Sequence, residues 1–112
     1  MDLPPRLRRL PAAGSLPAPL ARRDVRLAHD PLARLLGLAG LRDLPPHAGL
    51  LLPRTASVHT FGMRFPLDLV WLDAAGRIVR IDCSVRPGRV RGCRGARAVI
   101  ELPGATTRVA DP

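Results

Sequence analysis

Proline sets the upper limit on every element this chain can form. Residues 31, 45, 46, 53, 66 and 103 are proline, and the first twenty residues hold five more, at 4, 5, 11, 17 and 19. Each lacks an N–H and fixes φ, so it stops strands and enters a helix only in the first turn. Long helices are excluded, and the fold must be read from short segments between prolines.

The apolar period is helical only once. Asp30 can cap, because its carboxylate accepts from the free N–H groups of a first turn. Pro31 then falls at the first helical position, where a missing N–H costs nothing. Leu32, Leu35, Leu36 and Ala39 recur at helical spacing and form the expected buried stripe, with Gly37 and Gly40 as left-handed stops. The pattern predicts a helix of two to three turns. Before it, Val25, Leu27 and Ala28 suggest a first strand beginning near Asp24.

After the Leu44-Pro45-Pro46 turn the period becomes 2. Residues 49–52 are a short apolar run that Pro53 stops. Over residues 58–65, His59, Phe61, Met63 and Phe65 share one face of a regular strand, with Gly62 marking a bulge or close approach. Residues 67–72 are apolar on both faces, as in a covered central strand. Asp73-Ala74-Ala75-Gly76 reads as a hairpin loop, and the return over residues 77–83 turns Val79, Ile81 and Cys83 inward. Residues 86–97 form a loop, and residues 98–102 a last strand closed by Pro103-Gly104. One helix and five or six short strands define a mainly β chain, a small sandwich or barrel.

A length of 112 residues bounds the chain to one domain. Its net charge is +9, and every basic side chain is arginine. Ala, Arg, Gly and Pro make up half of the sequence, so a GC-rich genome explains the arginine without invoking a polyanionic partner. Hydrophobic content of 46% against 24% charged is globular rather than disordered, and collagen, coiled coil and disulfide-dense scaffolds are excluded. No run is long enough for a membrane helix, so no membrane partner is expected.

Residues 1–23, rich in proline and arginine and without any period, predict a flexible tail that folding does not need, ahead of one β-rich domain over residues 24–112. Prolines at 11, 17 and 19 break the apolar region that an export signal requires. The expected compartment is the cytoplasm, with Cys83 and Cys93 as free thiols.

The run Ala28-His29-Asp30-Pro31, then Arg34, Gly37-Leu38 and Gly40, resembles the opening of the uncharacterised family called domain of unknown function 192. Leu44-Pro45 followed by Gly49-Leu50-Leu51 resembles its next block. Pro66-Leu67-Asp68-Leu69, with Leu72-Asp73 and Gly76-Arg77-Ile78-Val79, is similar to its most diagnostic segment, and Ala96-Arg97-Ala98-Val99 with Glu101-Leu102-Pro103 to its closing strand. The similarity spans about residues 24–104 in order. Where the family commonly has Trp-Met-Lys-Asn-Thr, this chain has His59-Thr60-Phe61-Gly62-Met63, and the terminal stretch is curtailed to residues 105–112. The resemblance implies a jelly-roll-like β sandwich with one helix carrying an inward arginine. It implies no established reaction.

His59, Arg64 and Asp68 lie close together around Pro66, with Trp71 just beyond. A histidine beside a carboxylate can act as a base while an arginine orients an anion, and Trp71 can supply an apolar wall. These four are the candidate ligand-binding residues, and none is assigned as catalytic. The structural reading of the same residues is stronger. His59 shares its expected face with aromatics, and a carboxylate at 68 beside Val70 and Leu72 needs donors from Arg64 or from turn amides near Pro66.

A hydrolase acting on carbohydrate is the rival class; it needs two convergent carboxylates, and Asp68 with Glu101 is the pair available. Arg86, Arg89, Arg91, Arg94 and Arg97 are candidate anion-binding residues, but no aromatic platform accompanies them, which disfavours nucleic acid. The three histidines are isolated and the cysteines far apart, so neither a metal nor a cofactor is expected. The expected function is a non-enzymatic module that binds a small molecule or a protein partner, with no oligomeric state assigned.

Overall fold

All six residues of Leu67–Leu72 are buried, because this strand has neighbours on both edges and packing on both faces. The computed structural model describes residues 2–104; Met1 and residues 105–112, on which the expectation of a curtailed terminal stretch falls, lie outside the described residues. In chain order the elements are α1 (Pro5–Arg8), β1 (Asp24–Leu27), α2 (Pro31–Leu36), β2 (Ala48–Pro53), β3 (Ser57–His59), β4 (Leu67–Leu72), β5 (Ile78–Val85), β6 (Val90–Gly92) and β7 (Ala98–Pro103), with a single 3-10 turn at Ala18–Leu20. Five strands form one sheet in the order β1-β2-β7-β4-β5, and β3 pairs with β6 in a second. The chain is mainly β, as expected, and the sheets do not close into a barrel. No described helix is long and apolar enough to cross a membrane.

β1 and β2 are parallel while every other pair is antiparallel. A parallel pair cannot be joined by a tight hairpin, and the connection here runs through α2, which lands on one face of the sheet. Register sorts the side chains. Leu69 pairs with Glu101 and Trp71 with Val99, so these share one face; Asp68 pairs with Leu102 and Val70 with Ile100, so these share the other. Leu67, Leu69, Trp71 and Val99 pack with Leu7, Leu38, Val58 and Met63. Val70, Leu72, Ile100 and Leu102 pack with Leu20 and Val25.

Four expectations are corrected. The cap is as read, with the Ala33 N–H donating to the Asp30 carboxylate at 2.7 Å, but the stripe is rotated. Leu32 and Leu35 are 64% and 68% exposed, while Ala33 packs on the core and Leu38 is fully buried. The helix ends after six residues, and Gly37 at φ 53° turns the chain so that Leu38 enters the core instead.

The strand expected over residues 58–65 stops at His59. Thr60 is fully buried and ties the next loop down: its hydroxyl donates to the Arg86 carbonyl at 2.7 Å and accepts from the Arg89 N–H at 2.8 Å. Gly62 then turns at φ 79°, which exposes Phe61 and buries Met63, so the shared face does not exist.

In β5 the inward side is the opposite of the one expected. Val79, Ile81 and Cys83 are exposed, and Arg80 with Asp82 covers the core. The Trp71 indole donates to Asp82 at 3.0 Å, and Arg80 lies 5.7 Å over the ring while pairing with the same carboxylate at 2.9 Å. Cys93, expected in a loop, is the buried cysteine; both thiols are free.

The segment before Asp24, read as a tail, is packed. Leu3, Leu7 and Leu20 are buried. The Leu27 N–H donates to the Pro11 carbonyl at 2.8 Å and the Ala13 N–H to the Val25 carbonyl at 2.9 Å, which extends the sheet past β1. Arg6 donates to the Gly37 and Ala39 carbonyls at 3.0 and 2.8 Å, clipping the segment to the end of α2. Proline is tolerated here because an edge segment needs only alternate N–H groups.

Candidate ligand-binding site

The structure separates the four residues that the sequence places together. Asp68 is fully buried on the Leu102 face. There it accepts from the Ser84 N–H at 2.7 Å, where β5 shifts register and Ser84 takes φ 51°. Its charge also acts on Arg23, whose pKa burial lowers and Asp68 partly restores. The donor expected from Arg64 is thus supplied by a bulge amide instead, and Arg64 itself is exposed. Trp71 is fully buried against Arg80 and Asp82. Only His59 faces a hollow.

Asp68→Ala is expected to lose about 1–3 kcal/mol, because it strands the Ser84 N–H, and Asp68→Asn to lose less, because it keeps an acceptor. Thermal melts decide: an alanine variant that melts at or above the parent temperature removes Asp68 from the architecture. The same register that buries Asp68 places Glu101 on the opposite face of the sheet. The pair required for a carboxylate-based hydrolase therefore does not converge.

His59 lines a cleft of about 340 Å3 between α2, β3 and the sheet, together with Arg34 and Glu101. Each of the three carries a buried polar atom with no hydrogen-bond partner among the described residues: Arg34 Nε, His59 Nδ1 and Glu101 Oε1. Leu35, Leu52, Val58 and Met63 supply apolar walls. Glu101 stands at mid-strand in β7, 1% exposed, flanked in sequence by Ile100 and Leu102. Burial pushes its carboxyl up to about 7, opposed by the Leu38 backbone N–H that donates to it. Gly37 is required beside it, since a Cβ there would sit 2.8 Å from Oε1. Arg34 and Glu101 do not form an ion pair with each other, and the His59 ring stacks on exposed Phe61 with centroids 5.5 Å apart. A perturbed carboxyl in a cleft with unmatched donors and acceptors makes this the candidate site of the molecule.

Sequence reasoning reached His59 for another constellation and Glu101 for another partner. A charged residue in the middle of an apolar strand was the available signal, as was the inward arginine of the family pattern. Of the five candidate anion-binding arginines, four divide between two hollows and Arg94 lines neither. Arg86, Arg89 and Arg91 line a groove along β5, whereas Arg97 lines a separate hollow with Arg54, and neither lining holds an aromatic residue. No three His, Cys, Asp or Glu side chains among the described residues are placed to hold a metal ion.

A mixed β sheet with a lateral cleft beside a buried carboxyl defines a small β-rich protein. The chain belongs to the family called domain of unknown function 192, described as an uncharacterized ACR, whose model matches residues 16–110. No curated protein is similar in sequence. A crystal structure of a Sinorhizobium meliloti 1021 protein, described as a candidate transcription regulator, is similar at 27% identity and a TM-score of 0.69, covering 76% of this chain and 71% of its own. A protein of unknown function from Novosphingobium aromaticivorans DSM 12444 shares the fold at 20% identity and a TM-score of 0.69, covering 80% of this chain and 70% of its own.

Proposed function

We propose that this protein is a small-ligand-binding module and that the cleft at Arg34, His59 and Glu101 is its site. One observation carries the reading: three buried polar atoms lack partners, and all three residues line the same apolar-walled cleft. Buried polar groups are normally satisfied, because each orphan costs about 1–3 kcal/mol. Three orphans in one place are a cost that a bound ligand removes. Free thiols at Cys83 and Cys93 support the cytoplasm as its compartment. The described likeness to a transcription regulator is what favours a nucleic-acid role, and against it stands the division of the arginines between two hollows.

The test is a fragment screen by amide NMR on the full chain, run beside melts of Arg34→Met. Fragment-induced shifts are expected to converge on the residues lining the cleft. Arg34→Met, which keeps the apolar stem and deletes the orphaned Nε, is expected to melt at or above the parent temperature, as residues kept for function against stability do. Shifts scattered over the surface, or a variant that melts several degrees lower, would return Arg34 to the architecture.

A further inference from the structure

We propose that the cleft takes a small zwitterion, an α-amino acid with an apolar side chain, its carboxylate held by Arg34 and its ammonium by Glu101 and His59. This deepens the reading of the cleft as a ligand site, rests on it, and adds the chemistry of the occupant. The cleft has a donor pole and an acceptor pole. Arg34 presents an Nε–H that meets no acceptor, and a guanidinium is permanently charged and shaped for carboxylates. Glu101 Oε1 and His59 Nδ1 are the other unmatched atoms. Both accept once the carboxyl is ionised and the imidazole carries its proton on Nε2. An ammonium has three donors and no acceptor, so one such group satisfies both.

The two poles do not neutralise each other, since Arg34 and Glu101 form no ion pair. A ligand with a single charge leaves one pole bare: a simple carboxylate serves Arg34 and confronts Glu101, and a simple amine does the reverse. A phosphate dianion calls for more positive charge than one guanidinium supplies. The same cleft is walled by Leu35, Leu52, Val58 and Met63, so the body that joins the ligand's charged ends carries an apolar side chain. A volume of about 340 Å3 stands at the small end of ligand pockets, matched to an amino acid rather than a nucleotide.

Amide NMR titrations of the full chain with L-leucine, leucinamide and N-acetylleucine separate these cases, because leucinamide lacks the carboxylate and N-acetylleucine the ammonium. L-Leucine is expected to shift the amides of Arg34, Leu38, His59 and Glu101 and to bind roughly tenfold or more tightly than either derivative, as expected for one lost charge-assisted contact. Arg34→Met is expected to reduce leucine binding to the level of leucinamide, and Glu101→Gln to the level of N-acetylleucine, each without weakening the derivative that already lacks the corresponding charge. A derivative that binds as tightly as leucine overturns the zwitterion and leaves the ligand cleft standing, because a probe still occupies it. Silence from all three probes at millimolar concentration also overturns the zwitterion; the cleft itself is then judged by the fragment screen and the Arg34→Met melt.

Discussion

Raising the pH from about 5 to about 8 is expected to cost the folded state roughly 3 kcal/mol through one side chain, and Glu101→Gln is expected to abolish that cost. Burial raises the Glu101 carboxyl from 4.5 to about 7. Below 4.5 the group is protonated in the folded and the unfolded chain alike, and its full contribution is present. Between 4.5 and 7 the unfolded chain releases the proton while the folded chain retains it, so stability falls as the pH rises. Above 7 both forms are ionised and the loss is complete. A displacement of this size corresponds to roughly 3 kcal/mol at about 1.4 kcal/mol for each pH unit. Glutamine keeps an acceptor for the Leu38 N–H and cannot ionise, so its stability profile should be flatter by that amount. Urea unfolding of both proteins at the two pH values is the measurement, and parallel profiles would show that Glu101 is not held in an uncharged, dry position.

Leu7→Ala is expected to lower the melting temperature by roughly 10 °C or more, since large-to-small changes at buried leucines cost about 2–5 kcal/mol. Leu7 is 1% exposed and packs with Leu38 and Trp71 in the core. It also lies before residue 16, where the family match begins. Arg9→Ala, at an exposed position on the same segment, is the control and should leave melting nearly unchanged. If the two variants melt together, within a few degrees of the parent, the N-terminal segment is not part of the folded unit.

Residues 67–72 were legible because five of the six are apolar, on both faces, and Pro66 and the Asp73–Gly76 turn hold the run to strand length. The Asp30-Pro31 start was legible because capping is local chemistry. The direction in which an amphipathic element points is not local. β5 alternates as a strand must, yet its inward side is the charged one, because Arg80 and Asp82 lie over the Trp71 indole and satisfy its N–H. Alternation reports a period; it does not report which side faces a partner that is itself polar at the edge. The N-terminal segment failed for a related reason. Leu3, Leu7 and Leu20 show no period because they sit on an irregular stretch, a single helical turn and a 3-10 turn in succession, and each is held by elements far along the chain. The site was half legible. His59 and Glu101 each stood out, but the crossover through α2 that brings Arg34 to them is a property of sheet order, which no short motif encodes.

Sheet order has a further consequence, for the chain as it is synthesised. β7 (Ala98–Pro103) is the last of the described strands in chain order and occupies the centre of the sheet, between β2 and β4. Until it has left the ribosome, β2 and β4 each present a bare hydrogen-bonding edge flanked by leucine. The β4–β5 hairpin can form early from neighbouring residues, but the two halves of the sheet have nothing to join them. Glu101 arrives with β7, so the cleft and the fold are completed by the same segment. A nascent chain of this protein therefore completes the sheet only once β7 has emerged, in one step dominated by distant pairings. Topologies of that kind fold slowly and expose strand edges while they wait.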